Sequence, residues 1–427
     1  MPIITPDLPF NKVELLAPAG DFEKLEAALH YGADAVYLAG KQFSLRNFSD
    51  NFTFDELYQA IDLAHRHHVK VYIACNSFVR NSDALELKEY LLAMGEVKPD
   101  GIIIADPGVL KLALEHAKDI PLHLSTQANT TNIESALFWK SIGIKRINTA
   151  RELPLSDIRQ ISQESEMEIE AFIHGAMCIA YSGRCLLSNY LAHRDANQGM
   201  CAHACRWNYS VLEESRPGLP MPLMEDDKGS YLFSSKDLCM IDHVPEMIQA
   251  GIGSLKIEGR MKSIHYLATV VKTYREAIDS YYDDPEHYAV KEEWRRDLEL
   301  INHRGYCTGF YFGDPQQVIP NYAKSHTFEG HLFLGKVITP EKDGLHWIDV
   351  RNKLTVGDPV EILPQKGSPI QDRIIEITNQ QGEALEVAHP GTRTGVRFKK
   401  QYVPNDIIRK TDPGDYSKTA SAVDNIS

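Results

Sequence analysis

Residues 27–40, AALHYGADAVYLAG, contain an amphipathic helix that ends in glycine and leads directly into a short apolar strand. The same order recurs in ALFWKSIGIKRINTA at 136–150 and in PEMIQAGIGSLKIEG at 245–259. Glycine suits the left-handed conformation that closes many helices. The glycines in this position of the three copies are Gly32, Gly143 and Gly251. The chain therefore repeats one helix–strand unit through its first 260 residues.

Five further apolar segments fill the gaps between these copies. They are VELLAPAG (13–20), VKVYIACN (69–76), GIIIAD (101–106), LHLSTQ (122–127) and IEAFIHG (169–175). Short apolar strands are typical of a parallel sheet that is covered on both faces. With the repeats they make eight strands that alternate with helices, which predicts an α/β fold of the (β/α)8 TIM-like barrel type. A doubly wound sheet is the alternative, but its phosphate-binding glycine pattern is missing, and Lys256 stands where the third glycine would be.

The pattern of the chain changes near residue 329. Segments such as HWIDVRNKLTVGDPVEILP (346–364) alternate apolar and polar residues between turn residues. We therefore expect a barrel with a cysteine-bearing insertion and linker helices over 1–328, followed by a small antiparallel, β-barrel-like domain over 329–411. The small polar residues that follow predict a disordered tail at 412–427.

Composition and charge narrow the classes of function. The chain is 43% hydrophobic and 24% charged, as is typical of a folded globular protein. Its N-terminus has no basic, apolar leader and the chain has no apolar run of about 18 residues, so we expect a cytoplasmic protein without membrane contact. The net charge of −14 argues against a protein that coats nucleic acid, although a local basic patch stays compatible with RNA binding.

Cysteines are the most informative residues of this chain. It has seven, and an odd number without a secretion signal argues against a disulfide framework. Zinc sites usually show C-x2-C pairs, which are absent here. An iron–sulfur cluster tolerates irregular spacing, and buried free thiols are a third interpretation. Spacing alone leaves all three open for the five clustered cysteines, which are Cys178, Cys185, Cys201, Cys205 and Cys239.

Polar residues lie where the predicted barrel strands end. Chemistry in such barrels takes place at the C-terminal ends of the strands. Cys178 follows the predicted seventh strand, and a long irregular insertion (186–235) carries two more of the clustered cysteines. The predicted strand ends carry Asn76, Asp106, Gln127, Arg151, His174, Glu258 and Arg260. Any one of these residues could equally cap a loop.

Residues 170–188, EAFIHGAMCIAYSGRCLLS, resemble the signature of the collagenase-like peptidase family of unassigned mechanism. The resemblance extends from about residue 13 to 410. The segment HRDANQGMCAHACRW (193–207) and the β domain are similar to the branch of this family that hydroxylates tRNA. Other segments that carry the resemblance are ELLAPAGDFEKLEAALHYGADAVYLAG (14–40), KIEGRMKS (256–263) and HRGYCTGFYFG (303–313).

The resemblance implies a tRNA-modifying enzyme that converts the wobble uridine of the anticodon loop to 5-hydroxyuridine without oxygen. It implies a 4Fe-4S cluster as cofactor and prephenate as hydroxyl donor. A collagenase-like peptidase is the alternative within the same family. The implied cluster ligands are Cys178, Cys185, Cys201 and Cys239, with Cys205 as a further candidate.

Roles for other residues follow from the chemistry that the resemblance implies. Prephenate carries two carboxylates, which planar guanidinium groups bind in a bidentate manner. Arg260 and Arg151 are therefore the main candidates for substrate binding, and a structural ion pair with Glu258 is the alternative role for Arg260. Asn76 and Gln127 complete the substrate-binding candidates. The catalytic candidates are Glu258, Arg260 and His174.

A basic patch in the β domain is the candidate for holding tRNA phosphates. The anticodon loop would then reach the mouth of the barrel. Arg397, Lys399 and Lys400 are the main candidates, and a solvated charged face is the alternative. The patch consists of Arg393, Arg397, Lys399, Lys400, Arg409 and Lys410.

Overall fold

Eight parallel strands close into a barrel, and a helix follows each of them. The last strand, β8, pairs in parallel with both β7 and β1, which closes the sheet. This arrangement confirms the predicted (β/α)8 barrel and rules out the doubly wound sheet. The strands are β1 (Glu14–Pro18), β2 (Ala35–Leu38), β3 (Lys70–Cys75), β4 (Gly101–Ile104), β5 (Leu122–Leu124), β6 (Arg146–Asn148), β7 (Glu168–Ala176) and β8 (Ile252–Ile257).

The structure is a computed structural model, and it describes residues 12–45, 51–178, 180–207, 225–226, 229–230, 236–313 and 331–411. The predicted tail at 412–427 and much of the predicted insertion lie outside the described residues.

The helices begin and end where the sequence pattern requires. Thr53 and Glu56 form a capping box at the start of α2. Gly251 ends α8 with a φ of +81°, and an added Cβ there would lie 2.6 Å from the Ser162 hydroxyl. No described helix is both long and apolar enough to cross a membrane. The helices are α1 (Phe22–His30), α2 (Phe54–Arg66), α3 (Ala84–Val97), α4 (Pro107–His116), α5 (Ile133–Ser141), α6 (Leu155–Ser165), α7 (Leu187–Ala192), α8 (Val244–Gln249), α9 (Ile264–Asp283) and α10 (Glu292–Glu299).

A short strand that the sequence did not predict extends the barrel sheet beside β7. Residues Asp237–Cys239 pair antiparallel with the end of β7, and Cys239 lies opposite His174. Tyr306–Cys307 pairs in parallel with this short strand. This pairing places Cys239 on an extra strand that lies outside the regular alternation of strands and helices in the barrel.

The interior of the barrel contains buried charged side chains. Arg146 on β6 donates to Glu14 at 2.6 Å, and Lys256 on β8 donates to Glu170 at 2.7 Å. The Tyr72 hydroxyl donates to Glu14 at 2.7 Å. Burial raises the pKa of the Glu14 carboxyl, but the charge of Arg146 and the hydrogen bonds from Arg146, Tyr72 and Ser254 together outweigh burial and lower it overall. The strands are thus joined through the barrel's centre by opposite charges.

The C-terminal part of the chain forms the predicted antiparallel β domain. Its own apolar core includes Leu334, Ile348 and Val396. Two short strands, Leu354–Thr355 and Val387–Ala388, pair beside the main sheet. The main sheet is a half-barrel of eight strands in the order Ile370–Arg373, Pro359–Leu363, Ile407–Thr411, His331–Val337, His346–Val350, Arg393–Arg397, Glu376–Thr378 and Ala384–Leu385.

A buried ionic cluster joins the β domain to the barrel's helices. Arg409 is fully buried, and its guanidinium donates to Asp297 of α10 at 2.7 Å and to Glu361 at 2.8 Å. The Tyr31 hydroxyl of the barrel donates to the Leu363 carbonyl of the β domain at 2.8 Å. The prediction that Arg409 contributes to an RNA-binding patch is therefore wrong, because the packing of α10 buries it between two carboxylates.

Replacing Arg409 with alanine should destabilise the protein by about 3–5 kcal/mol, because two buried carboxylates would lose their partner. Urea unfolding followed by circular dichroism measures the loss. Lys410→Ala is the matched control, since Lys410 forms a partly exposed pair with Asp358 and should cost less than about 1 kcal/mol. Equal, small losses in both variants would contradict the proposed importance of the buried cluster.

Candidate functional site

A cavity of about 170 Å³ lies at the C-terminal ends of the barrel strands. Residues that follow β3, β5, β6 and β8 form one wall, because parallel strands of a barrel all end on the same face. The structure thus brings together five residues that the sequence predicted for the site. These are Asn76, Gln127, Arg151, Glu258 and Arg260.

The segment that follows β7, residues 178–207 and here called the cysteine segment, supplies the opposite wall. It is tied to the β3–α3 loop, because the Phe78 N–H donates to the Asn197 carbonyl at 3.1 Å. The Asn197 side chain in turn donates to the Cys185 carbonyl at 3.1 Å. The cysteines of this wall are Cys178, Cys185, Cys201 and Cys205.

The four thiols line one wall of the cavity, and their sulfur atoms do not converge on a single position. Within the described ranges, no group of three or more His, Cys, Asp or Glu side chains lies close enough together to hold a metal ion. The backbone N–H of His203 donates to the Cys201 sulfur at 3.4 Å, a contact that stabilises a thiolate. Four thiols around one cavity are the donor type that an iron–sulfur cluster uses, so the residues present fit that group chemically.

Cys239 lies apart from the other four clustered cysteines. It is not among the residues that line the cavity, and its sulfur lies 3.8 Å from the Tyr274 hydroxyl. Burial raises the pKa of the Cys239 thiol to about 12. The structure therefore places Cys205, rather than Cys239, with Cys178, Cys185 and Cys201.

His174, a predicted catalytic residue, is buried beside Cys239 and does not line the cavity. Its Nδ1 lies 3.3 Å from the Tyr274 hydroxyl. Burial lowers the pKa of His174 to about 3, so the imidazole is neutral at physiological pH. The His174 carbonyl accepts from the backbone N–H of Glu258 at 2.8 Å, but the imidazole does not line the cavity, and its catalytic role stays a prediction.

Three cations and one carboxylate give the cavity a positive character. Arg151 lies with its guanidinium carbon 3.8 Å from the centre of the Phe172 ring, and it donates to the Ala176 carbonyl at 2.8 Å. Arg260 is buried and donates to the Ser44 hydroxyl at 2.7 Å. Such a surface attracts an anionic ligand. The four charged side chains are Arg151, Lys256, Glu258 and Arg260.

Two buried amide groups of the cavity wall have hydrogen-bonding atoms without a partner in the described part of the chain. They are Nε2 of Gln127, a donor, and Oδ1 of Asn148, an acceptor. Their other amide atoms are held by the Ser125 hydroxyl at 3.0 Å and by Glu170 at 2.9 Å. Since buried polar groups are almost always paired, the cavity suits a ligand with both acceptors and donors.

Lys256 is the main residue of the site that sequence reasoning missed. Its ammonium group donates to Glu170 and lies 4.4 Å from the centre of the Tyr37 ring. A signal was present, because Lys256 lies near the end of β8, two residues before Glu258, and alternate residues of an extended segment face the same side. The sequence had drawn attention to Lys256 only because it stands where the phosphate-binding pattern would have its third glycine.

The predicted RNA-binding residues of the β domain lie on its surface among acidic groups. Arg397 pairs with Glu376 at 2.8 Å. Lys399 and Lys400 are exposed, and their backbone N–H groups donate to Asp372 at 3.2 and 3.1 Å. An RNA-binding role for Arg397, Lys399 and Lys400 stays a prediction.

Comparison with known families agrees with this architecture. The model of Peptidase family U32 matches residues 20–319, and that of the Peptidase family U32 C-terminal domain matches residues 329–409. The chain belongs to peptidase family U32. The two matches together span the barrel and the β domain.

Relatives in this family carry two kinds of name. The tRNA hydroxylation protein P1 of Bacillus subtilis (strain 168) is 39% identical over 405 residues, covering 94% of this chain and 95% of that protein. The tRNA hydroxylation protein P of Escherichia coli (strain K12) is 36% identical, covering 89% and 92%. A collagenase of Porphyromonas gingivalis (strain ATCC BAA-308 / W83) is 30% identical, covering 94% and 98%.

In metal-free protein at pH 8, iodoacetamide should alkylate Cys178 at least about a hundredfold faster than Cys75, because the thiolate is the reactive form. Cys178 is exposed, whereas burial raises the pKa of the Cys75 thiol to about 12. Peptide mass spectrometry over a time course measures both rates. In urea the two rates should become equal, and equal rates in the folded protein would contradict the positions described.

Proposed function

We propose that this protein hydroxylates tRNA, converting the wobble uridine of the anticodon loop to 5-hydroxyuridine without oxygen. The observation that carries the proposal is the pairing of two walls around one cavity. One wall holds four thiols, and the other holds Arg151, Lys256 and Arg260. Relatives named for tRNA hydroxylation, which match nearly the whole chain, support a tRNA-hydroxylating role, which would place the protein in the cytoplasm.

The proposed cofactor is a 4Fe-4S cluster held by Cys178, Cys185, Cys201 and a fourth thiolate. Cys205 is favoured by its place in the cavity wall, and Cys239 by the wider family resemblance. When bound, the cluster would supply one-electron chemistry beside the substrate. The N–H of His203 holds the Cys201 sulfur, and hydrogen bonds of this kind tune such a centre.

The proposed hydroxyl donor is prephenate, a dicarboxylate. Arg151 and Arg260 would bind its carboxylates, and Lys256 adds a third positive charge deeper in the cavity. Gln127 Nε2 would donate to the ligand, and Asn148 Oδ1 would accept from its hydroxyl.

Glu258 is the candidate for moving a proton at this cavity. The one proton of the Tyr37 hydroxyl is shared between the Ile257 carbonyl at 3.0 Å and a Glu258 carboxylate oxygen at 3.3 Å, which orients the carboxylate. A carboxylate held in this way can accept a proton from a bound substrate when the two lie within hydrogen-bonding reach. Glu258 therefore keeps its predicted catalytic role in this proposal.

A peptidase is the second candidate, because the collagenase relative covers most of the chain. Thiols and His203 line the same cavity, and cysteine peptidases use these two residue types. Nucleoside analysis of tRNA from a deletion strain separates the candidates. Loss of 5-hydroxyuridine, restored by the wild-type gene, supports the hydroxylase. Unchanged tRNA together with peptide cleavage by the purified protein supports the peptidase.

Alanine at Cys178, Cys185 or Cys201 should remove most of the iron, because each change takes away one proposed thiolate of the cluster. Iron and acid-labile sulfide are measured after anaerobic purification. Cys205→Ala and Cys239→Ala identify the fourth ligand, since only one of them should lose iron. Cys75→Ala and Cys307→Ala are the controls and should retain it. Full iron content in all five site variants would exclude the cluster.

Arg260→Lys should weaken prephenate-dependent hydroxylation about ten- to a hundredfold, because lysine loses one charge-assisted hydrogen bond of a bidentate pair. Iron content and tRNA affinity should stay near those of the wild type. The assay measures kcat/KM for prephenate, and thermal unfolding is followed in parallel. A lower melting temperature with wild-type kcat/KM would instead make Arg260 a structural residue.

A further inference from the structure

The cysteine segment differs in charge from the rest of the chain. Residues 178–207 contain three arginines, one aspartate and no lysine or glutamate, a formal charge of 3 − 1 = +2. The whole chain has a net charge of −14. A locally positive segment beside a cavity, in an otherwise acidic protein, attracts a polyanion to that place rather than to the surface in general.

The same segment exposes large aromatic side chains, here called the aromatic rim. Tyr190 is 84% exposed, Tyr181 is 50% exposed and Trp207 is 41% exposed. Tyr181 also lines the cavity, so the rim is continuous with the candidate site. α7, which carries Tyr190, packs against the helical turn at 204–206 that precedes Trp207. The three exposed aromatic side chains therefore belong to one packed segment beside the cavity.

Hydrogen bonds hold the backbone of the aromatic rim in place. The Ser188 hydroxyl accepts from the Ala202 N–H at 2.9 Å and donates to the Arg194 carbonyl at 2.7 Å. The Asn129 side chain, which belongs to the barrel, donates to the Ser182 carbonyl at 3.0 Å. The aromatic side chains are thus presented on an ordered support, which reduces the entropy that binding would cost.

We propose that the aromatic rim binds the unpaired bases of an RNA loop by stacking and directs one base into the cavity. This inference rests on the proposed function, since it identifies the surface that would contact tRNA. Single-stranded loops are recognised by aromatic side chains that stack on unstacked bases and by cations that contact phosphates. Arg184, in the same segment, is exposed, and so is Arg80 on the β3–α3 loop, whose guanidinium lies 3.8 Å from Asp195 of the segment.

Charge favours RNA over a protein as the occupant. Tyrosine, tryptophan and arginine are also enriched in protein interfaces, so the aromatic side chains alone do not decide the partner. The net positive charge of residues 178–207, together with the cationic cavity wall that continues the surface, fits a polyanion with flat apolar groups. Nucleic acid combines these two properties.

The test measures binding of a fluorescent anticodon stem–loop RNA to the full-length, cluster-loaded protein by anisotropy. Tyr190→Ala and Trp207→Ala should each weaken binding about five- to 150-fold, because each removes one stacking platform. Tyr190→Phe should bind like the wild type, since the phenyl ring still stacks. Tyr58→Ala is the matched control, because Tyr58 is 65% exposed on α2, and it should have no effect.

A duplex with the same stem but no loop provides the second comparison. It should bind weakly and equally to all variants, because paired bases cannot stack on the rim. The inference is overturned if Tyr190→Ala and Trp207→Ala bind the stem–loop as tightly as the wild type. It is also overturned if alanines at Lys399 and Lys400 abolish loop binding while the rim variants retain it, or if the wild type binds no RNA.

Failure of this inference is distinguishable from failure of the proposed function. If a deletion strain lacks 5-hydroxyuridine and the Tyr190→Ala, Trp207→Ala double variant restores it fully, the hydroxylase stands and the rim is excluded. If the deletion strain keeps all of its 5-hydroxyuridine, the proposed function fails. Sensitivity of stem–loop binding to the two alanines would then still support the rim as an RNA surface.

Discussion

The ionic layer inside the barrel is the constraint on which the site depends. Arg146 is buried and contacts Glu14 and Glu168, while Glu170 accepts from Lys256. Burying one of these charges alone would cost several kcal/mol, so each requires the others. The residues belong to β1, β6, β7 and β8, which are the strands on either side of the closure. The closure of the barrel and the pairing of its interior charges therefore depend on each other.

The same layer supports the floor of the cavity. Glu170 orients both Lys256 and Asn148, because it accepts from the ammonium at 2.7 Å and from the amide at 2.9 Å. Lys256 can face the cavity as a cation because its charge is balanced from below. The position of Asn148 leaves its carbonyl oxygen toward the cavity for the same reason. The Glu170 carboxylate thus contributes to the ion pairs that stabilise the fold and also positions the polar groups of the cavity.

The sequence predicted the parts of the fold that depend on local pattern. Helix ends at glycine, short apolar strands and polar strand ends are properties of a few consecutive residues. They place Arg151 and Arg260 at strand ends, and in the structure both residues line the cavity. The positions of Cys239 and Arg409 depend on non-local contacts. Cys239 was separated from the other cysteines by a strand pairing with β7, and Arg409 was buried by α10 from more than 100 residues away. No local pattern encodes either contact.

The two walls of the cavity come from different parts of the chain. The barrel strands supply the cations, and the cysteine segment supplies the thiols and the aromatic rim. Strand residues are constrained by the ionic layer beneath them, whereas a loop-borne segment can change without disturbing the barrel. If the proposed function holds, residues 178–207 would contact the RNA, and the cations of the barrel strands would hold the small anion.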